Sequence, residues 1–145
     1  MQKTKIRIPI HEGSVSEETL WAEKIDENLF RLCNIPFVAK GYAEDDIVFC
    51  QQKDDFNEVV SIKEDSGNGT IRLLFSNSHS EEAQEVLKEL KSVGCSYEFA
   101  SSKLVGVTIP SHLEIPFSQL SNFLNATDDN ILSGWEVAKE FIRAS

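Results

Sequence analysis

Three histidines, three cysteines and a run of acids are the residues of this chain with chemistry to offer. His11, His79 and His112 stand far apart in loop-like stretches, without the HxH or HxxxH spacing that lets one element present two metal ligands. They read as surface histidines, and no catalytic residue, metal ligand or cofactor is assigned. Cys33, Cys50 and Cys95 are odd in number, lack CxxC spacing and sit in apolar or strand-like runs. Buried thiols in a reducing compartment are the expectation. A nucleophilic Cys33 or Cys50 would need a base and an electropositive setting, whereas Glu44 to Asp46 would raise the pKa of a nearby thiol. Ser66-Gly67-Asn68-Gly69-Thr70 has the glycines of a phosphate loop but no lysine, and it precedes a strand instead of opening a helix. It reads as a hairpin turn.

The acids are the stronger lead. Glu44-Asp45-Asp46 and Asp54-Asp55 lie at two turns flanking one strand, hence at its opposite ends, and could share a face with Glu58 or Glu64. A partner rich in Lys and Arg would meet several charges at once, and such charges mainly accelerate association. Trp21 and Tyr42 are candidate aromatic anchors for such an interface. The expected partner-binding set is therefore Glu44, Asp45, Asp46, Asp54, Asp55, Glu58, Trp21 and Tyr42. The competing reading is that the acids are solvated turn residues and the aromatics pack within the sheet.

Composition narrows the classes. With 14 Lys plus Arg against 24 Asp plus Glu the formal charge is −10, which repels phosphate backbones and favours a basic protein partner. Hydrophobic residues at 41% and charged residues at 26% fit a globular chain, and 145 residues can bury a sizeable core without disulfides. No apolar window approaches the roughly 20 residues of a membrane helix, and the N-terminus reads as a strand, with Ile6, Ile8 and Ile10 alternating, not as a signal peptide. A cytoplasmic setting follows.

The elements that must position these residues change character near position 70. Before it, β-rich runs separated by turn formers predict strands at Leu20 to Ile25, Leu29 to Cys33, Phe37 to Ala39, Asp46 to Gln52 and Glu58 to Lys63. Pro36 is expected at an edge or bulge, and Gly41 at a positive φ. Thr70 to Phe75 is a further strand. Ala83, Val86, Leu87 and Leu90 then mark an amphipathic helix, with Ser78 and Glu81 as a capping box or Ser80 as N-cap, and Gly94 past its end. Cys95 to Ser101 and Leu104 to Ile109 predict a hairpin. Phe117, Leu120, Phe123 and Leu124 predict a short helix, and Trp135, Ala138, Phe141 and Ile142 a terminal one from Ser133. The expected class is α+β: a curled antiparallel sheet or small barrel over 1–69, then a ferredoxin-like βαββα half over 70–145 lacking its last strand and closing on a C-terminal helix.

Leu20-Trp21-Ala22-Glu23, Asn34-Ile35-Pro36-Phe37, Gly41 through Val48, Ser66 through Arg72 and Gly94-Cys95 occur in this order. Together they resemble an uncharacterised bacterial family of small stand-alone proteins, the domain of unknown function numbered 4265, from about Leu20 to Trp135-Glu136. The resemblance implies a bacterial, intracellular setting and carries no catalytic residue. Asp45 stands where the family pattern usually has Gly. If a positive φ is required there, Asp tolerates it better than most residues.

The function expected is that of a non-enzymatic acidic binding protein, in sharper form an immunity or antitoxin-type protein, as in contact-dependent growth inhibition, masking a basic nuclease toxin. A small-molecule binder or enzyme with a site between the halves, converging on His79, Asp46 or Arg72, is the alternative. A nucleic-acid binder using a Lys3, Lys5, Arg7 edge strand is a more distant one.

Overall fold

The computed structural model describes residues 3–143; Met1 and Gln2 of the expected first strand, and Ala144 and Ser145, lie outside it. Five strands form the first half: β1 (Lys3–Pro9), β2 (Glu17–Asp26), β3 (Leu29–Leu32), β4 (Ile47–Gln52) and β5 (Asn57–Glu64). The first four turn alternate residues inward, Ile6 and Ile8 from β1, Leu20 and Ala22 from β2, Phe30 and Leu32 from β3, Val48 and Cys50 from β4, while the bulged β5 contributes Val59 and, in part, Ile62. That period of two is what a half-buried strand requires. Five strands in an up-and-down meander leave the first and fifth pointing the same way, so the barrel closes through a parallel seam. It is short, Ile6 opposite Asn57 and Arg7 opposite Glu58.

The second half is β6 (Gly69–Phe75), α1 (Glu81–Ser92), β7 (Ser96–Phe99), β8 (Leu104–Ile109), α2 (Phe117–Ala126) and β9 (Leu132–Lys139). Its strands lie in the order β7-β8-β6-β9, all neighbours antiparallel. One face carries Ile71, Leu73, Phe75, Val105, Val107 and Ile109 and packs on Ala83, Val86, Leu87 and Leu90 of α1 and Leu120 and Leu124 of α2. The other face is polar, with Thr70, Arg72, Gly106 and Thr108. The chain is α+β, with separate apolar cores in the barrel and under the helices.

Several expectations need correction. The terminal helix is the strand β9: Trp135 and Val137 stand opposite Leu73 and Ile71 and so share their face, while Glu136 opposes Arg72 on the other. Spacings of three and four fit Trp135, Ala138 and Ile142, but Ser133 and Gly134 are poor helix formers, and β6 offers an open edge. Phe37 to Ala39 is not a strand, for a reason given below, and Pro36 is a buried loop residue. β1 is paired on both sides, by β2 and β5, so Lys3, Lys5 and Arg7 do not form an edge strand; Arg7 pairs with Glu17 at 3.4 Å and stacks over Phe56, and Lys5 lies over Trp21. At α1 it is Ser80, not Ser78, that caps, its hydroxyl accepting from the Ala83 N–H, while Ser78 is buried against Ser101. Gly94 has the positive φ expected past the helix end.

Candidate functional site

Between the barrel and the polar face of the second sheet runs an irregular segment, Cys33 to Asp46, and most of the charged residues of interest converge on it. A main chain buried without a strand partner must find other hydrogen-bond partners. From 36 to 39 it finds two charged side chains. The Glu18 carboxylate accepts from the consecutive N–H groups of Phe37, Val38 and Ala39 at 2.7, 3.1 and 2.8 Å. On the carbonyl side, buried Arg72 donates to Val38 at 3.2 Å, to Pro36 at 3.4 Å and to Ala39. Arg72 also pairs with Glu136 at 3.3 Å, and its Nε is buried with no partner. These bonds replace a strand ladder, which is why an apolar run with strand composition stays irregular. Gly106 completes the fit, since a Cβ there would stand 2.8 Å from the Ile35 side chain and 3.0 Å from the Phe37 ring.

The acidic knuckle is part of the same junction. Asp46 is fully buried and accepts from the Ala43 N–H at 2.9 Å, the Ser66 N–H at 2.9 Å, the Ser66 hydroxyl at 2.7 Å and the Lys139 ammonium at 2.9 Å. Lys139, from β9, also reaches Asp65 at 2.8 Å. Burial works against the Asp65 charge, but hydrogen bonds from Lys139 and the Gly67 N–H, with the Lys139 charge, hold its carboxyl below the ordinary value. Glu44 turns toward β7 and β8, accepting from Thr108 at 3.1 Å and Ser96 at 3.3 Å. Asp45 alone is exposed, with φ of 73°, the left-handed conformation anticipated where the family pattern has Gly. Asp46 is therefore removed from the set of partner-binding acids, and Glu44 is half-buried and engaged. The same packing that brings the halves together consumes their charge.

Asp54, Asp55 and Glu58 meet different neighbours from those expected. The β4–β5 turn lies beside the β2–β3 turn, where the Cys50 N–H donates to the Asn28 carbonyl. Exposed Asp54 and Asp55 thus share one end of the barrel with exposed Asp26 and Glu27. A polar recess of about 330 Å³ separates the two tips, bordered by Lys3, Lys24, Glu27 and Gln52. Glu58 pairs loosely with Lys53 at 3.9 Å and Lys24 with Glu27 at 3.8 Å. Beside the tips are two exposed apolar side chains, Ile25 and Phe49, the latter 40% exposed opposite Leu29. In the sequence Asp26 and Glu27 carry no signal beyond that of a hairpin turn.

Trp21 is 45% exposed on the barrel wall, its carbonyl accepting from the Cys33 N–H while the Asp45 N–H donates to the adjoining Leu32 carbonyl. Tyr42 packs on the barrel core, and burial, then the Asp46 charge, push its phenol up. Burial pushes Cys50 and Cys95 up to about 12; Cys33 is raised too, by burial foremost, opposed by Lys3 and reinforced by Glu23 and Asp45. Among the described residues no three His, Cys, Asp or Glu side chains are placed to hold a metal ion, and His79 stacks on Phe99 at 4.9 Å.

A barrel and a helix-backed sheet joined by a charged, irregular segment define the class by architecture. The model of the family described as Domain of unknown function (DUF4265) matches residues 18–135, and the chain belongs to that family. No curated protein matches it. Among solved structures it is similar to one titled as a novel crystal structure of a hypothetical protein from Neisseria gonorrhoeae, with TM-score 0.82 and 21% identity over 98% of each chain. That likeness concerns the fold. No helix among the described residues is long and apolar enough to cross a membrane.

Proposed function

We propose that the protein is a non-enzymatic binding protein that docks a basic protein partner through the hairpin end of its barrel, as an immunity or antitoxin-type protein would mask a basic nuclease toxin. The observation that carries this reading is the pairing of the two tips: Asp26, Glu27, Asp54 and Asp55 are exposed together, held by nothing beyond a loose Lys24–Glu27 pair at 3.8 Å and a local bond from the Glu27 N–H to Asp26, with Ile25 and Phe49 beside them. Charges at a rim steer association, and a nearby apolar patch supplies what rim charges do not, resistance to dissociation. The docking surface is thus shifted from Glu44–Asp46 to the opposite end of β4. Three free thiols, two of them buried, support a reducing, cytoplasmic setting. The βαββαβ order and the strand order β7-β8-β6-β9 support reading the second half as a ferredoxin-like unit.

Calorimetric titration against the basic proteins encoded beside its gene tests the reading. Binding that weakens steeply with salt, and by about tenfold or more in an Asp26→Asn, Glu27→Gln, Asp54→Asn, Asp55→Asn variant, is expected. A neighbourhood with no basic protein that binds, or binding indifferent to these four changes, sinks it.

A further inference from the structure

Past its two-pair seam the barrel wall is open. β5 bulges at Val60 and again at Lys63, where its register against β4 shifts, and a bulge bends the strand that carries it. β1 runs on to Pro9, which has no N–H with which to recruit a neighbour. The two strands part after Arg7 and Glu58 and leave a cleft of about 610 Å³ between them. Ile8 and Ile10 line one side, Val59 and Val60 the other, and Val38 with Ala39 the third. Ile8, Val59 and Ala39 belong to the barrel core, so the cleft reaches apolar interior, and Val60 is left 54% exposed at its mouth. The volume is that of a small-molecule site, for which roughly 300–1,000 Å³ is usual.

The polar groups around it are mostly donors. Lys40 makes no ion pair among the described residues, the Tyr42 hydroxyl makes no hydrogen bond there, and His11 makes neither. The Tyr42 phenol, which burial and then the Asp46 charge push further above its ordinary value, is a donor at neutral pH. Glu12 is the one carboxylate on the rim.

We propose that this cleft binds a small amphiphile, its apolar chain against Ile8, Val59 and Val60 and its carboxylate head at Lys40 and Tyr42. The site is independent of the acidic hairpin end, since β1 runs from that end at Lys3 to the cleft at Ile8. Sodium decanoate, kept below micelle-forming concentration and titrated by calorimetry, is the probe. Saturable one-to-one binding is expected, weakened about tenfold or more by Lys40→Glu, less by Tyr42→Phe, and abolished by Val60→Trp, which fills the cleft. Decanol, with a similar chain and no charge, is expected to bind about tenfold more weakly. Urea unfolding of the Lys40→Glu and Val60→Trp variants, both at exposed positions, distinguishes a blocked cleft from a broken fold. Absence of saturable decanoate binding overturns the proposal, as does binding that folded Lys40→Glu and Val60→Trp proteins retain in full; decanol binding as tightly as decanoate removes the carboxylate head.

Discussion

Two acidic turns flank β4, alike in sequence and opposite in fate. Glu44-Asp45-Asp46 folds into the junction, where Ser66, Thr108 and Lys139 satisfy the carboxylates of Glu44 and Asp46, while Asp54-Asp55 projects from a hairpin tip beside Asp26 and Glu27. The difference arises from the second half of the chain. β9 brings Lys139 and β8 brings Thr108 to one end of the barrel, and no element among the described residues covers the other. A charged cluster buried against donors specifies how two halves fit; the same charges at an uncovered end remain free to act on a partner.

The comparison breaks most readily at the junction. Arg72→Ala should cost about 3–5 kcal/mol in urea unfolding, because the carbonyls of residues 36, 38 and 39 lose their donor. A variant within 1 kcal/mol of wild type would show the segment to be held by other means. Gly106→Val should cost about 1–3 kcal/mol by overpacking Ile35 and Phe37, and cysteine-reactivity mapping of a Val38→Cys probe should report a loosened segment.

Acid should sharpen the contrast within the junction itself. The depressed Asp65 stabilises the fold fully above the ordinary carboxylate value near 4, and that contribution is lost as pH falls through its folded value. Glu98 behaves oppositely: burial raises it, Glu44 adding and the Ile35 N–H and Asn34 opposing, so its charge costs stability at neutral pH and the cost disappears on protonation. Asp65→Asn should lose most at pH 7 and little in acid, whereas Glu98→Gln should gain at pH 7 and nothing in acid. Unfolding curves across that range check both signs. Smallest of all, the four hairpin-tip substitutions should leave stability within about 0.5 kcal/mol, since surface changes away from specific contacts do little. A larger loss would mean those acids, too, serve the fold.

The five barrel strands, the alternation of Ile6 and Ile8, the β6 strand, α1 and α2 are legible because strand runs and helical stripes are local. What escaped is what depends on partners distant in sequence. Glu18 and Arg72 carry no motif, yet together they hold a segment whose composition otherwise favours a strand. Trp135 and Ala138 fit a helical spacing until β6 presents an edge to pair with. Asp46 looked like a surface acid because Lys139, its partner, lies 93 residues away. The left-handed turn at Asp45 could be anticipated, since a family Gly at that position points to backbone geometry and not to side-chain chemistry.

A double-mutant cycle on Asp46→Asn and Lys139→Met, read by urea unfolding, tests most directly whether the knuckle is spent on joining the halves. A coupling of about 2 kcal/mol or more is expected for a buried, hydrogen-bonded pair of this kind. Additivity within about 0.5 kcal/mol would contradict that assignment and return Asp46 to the acids available to a partner.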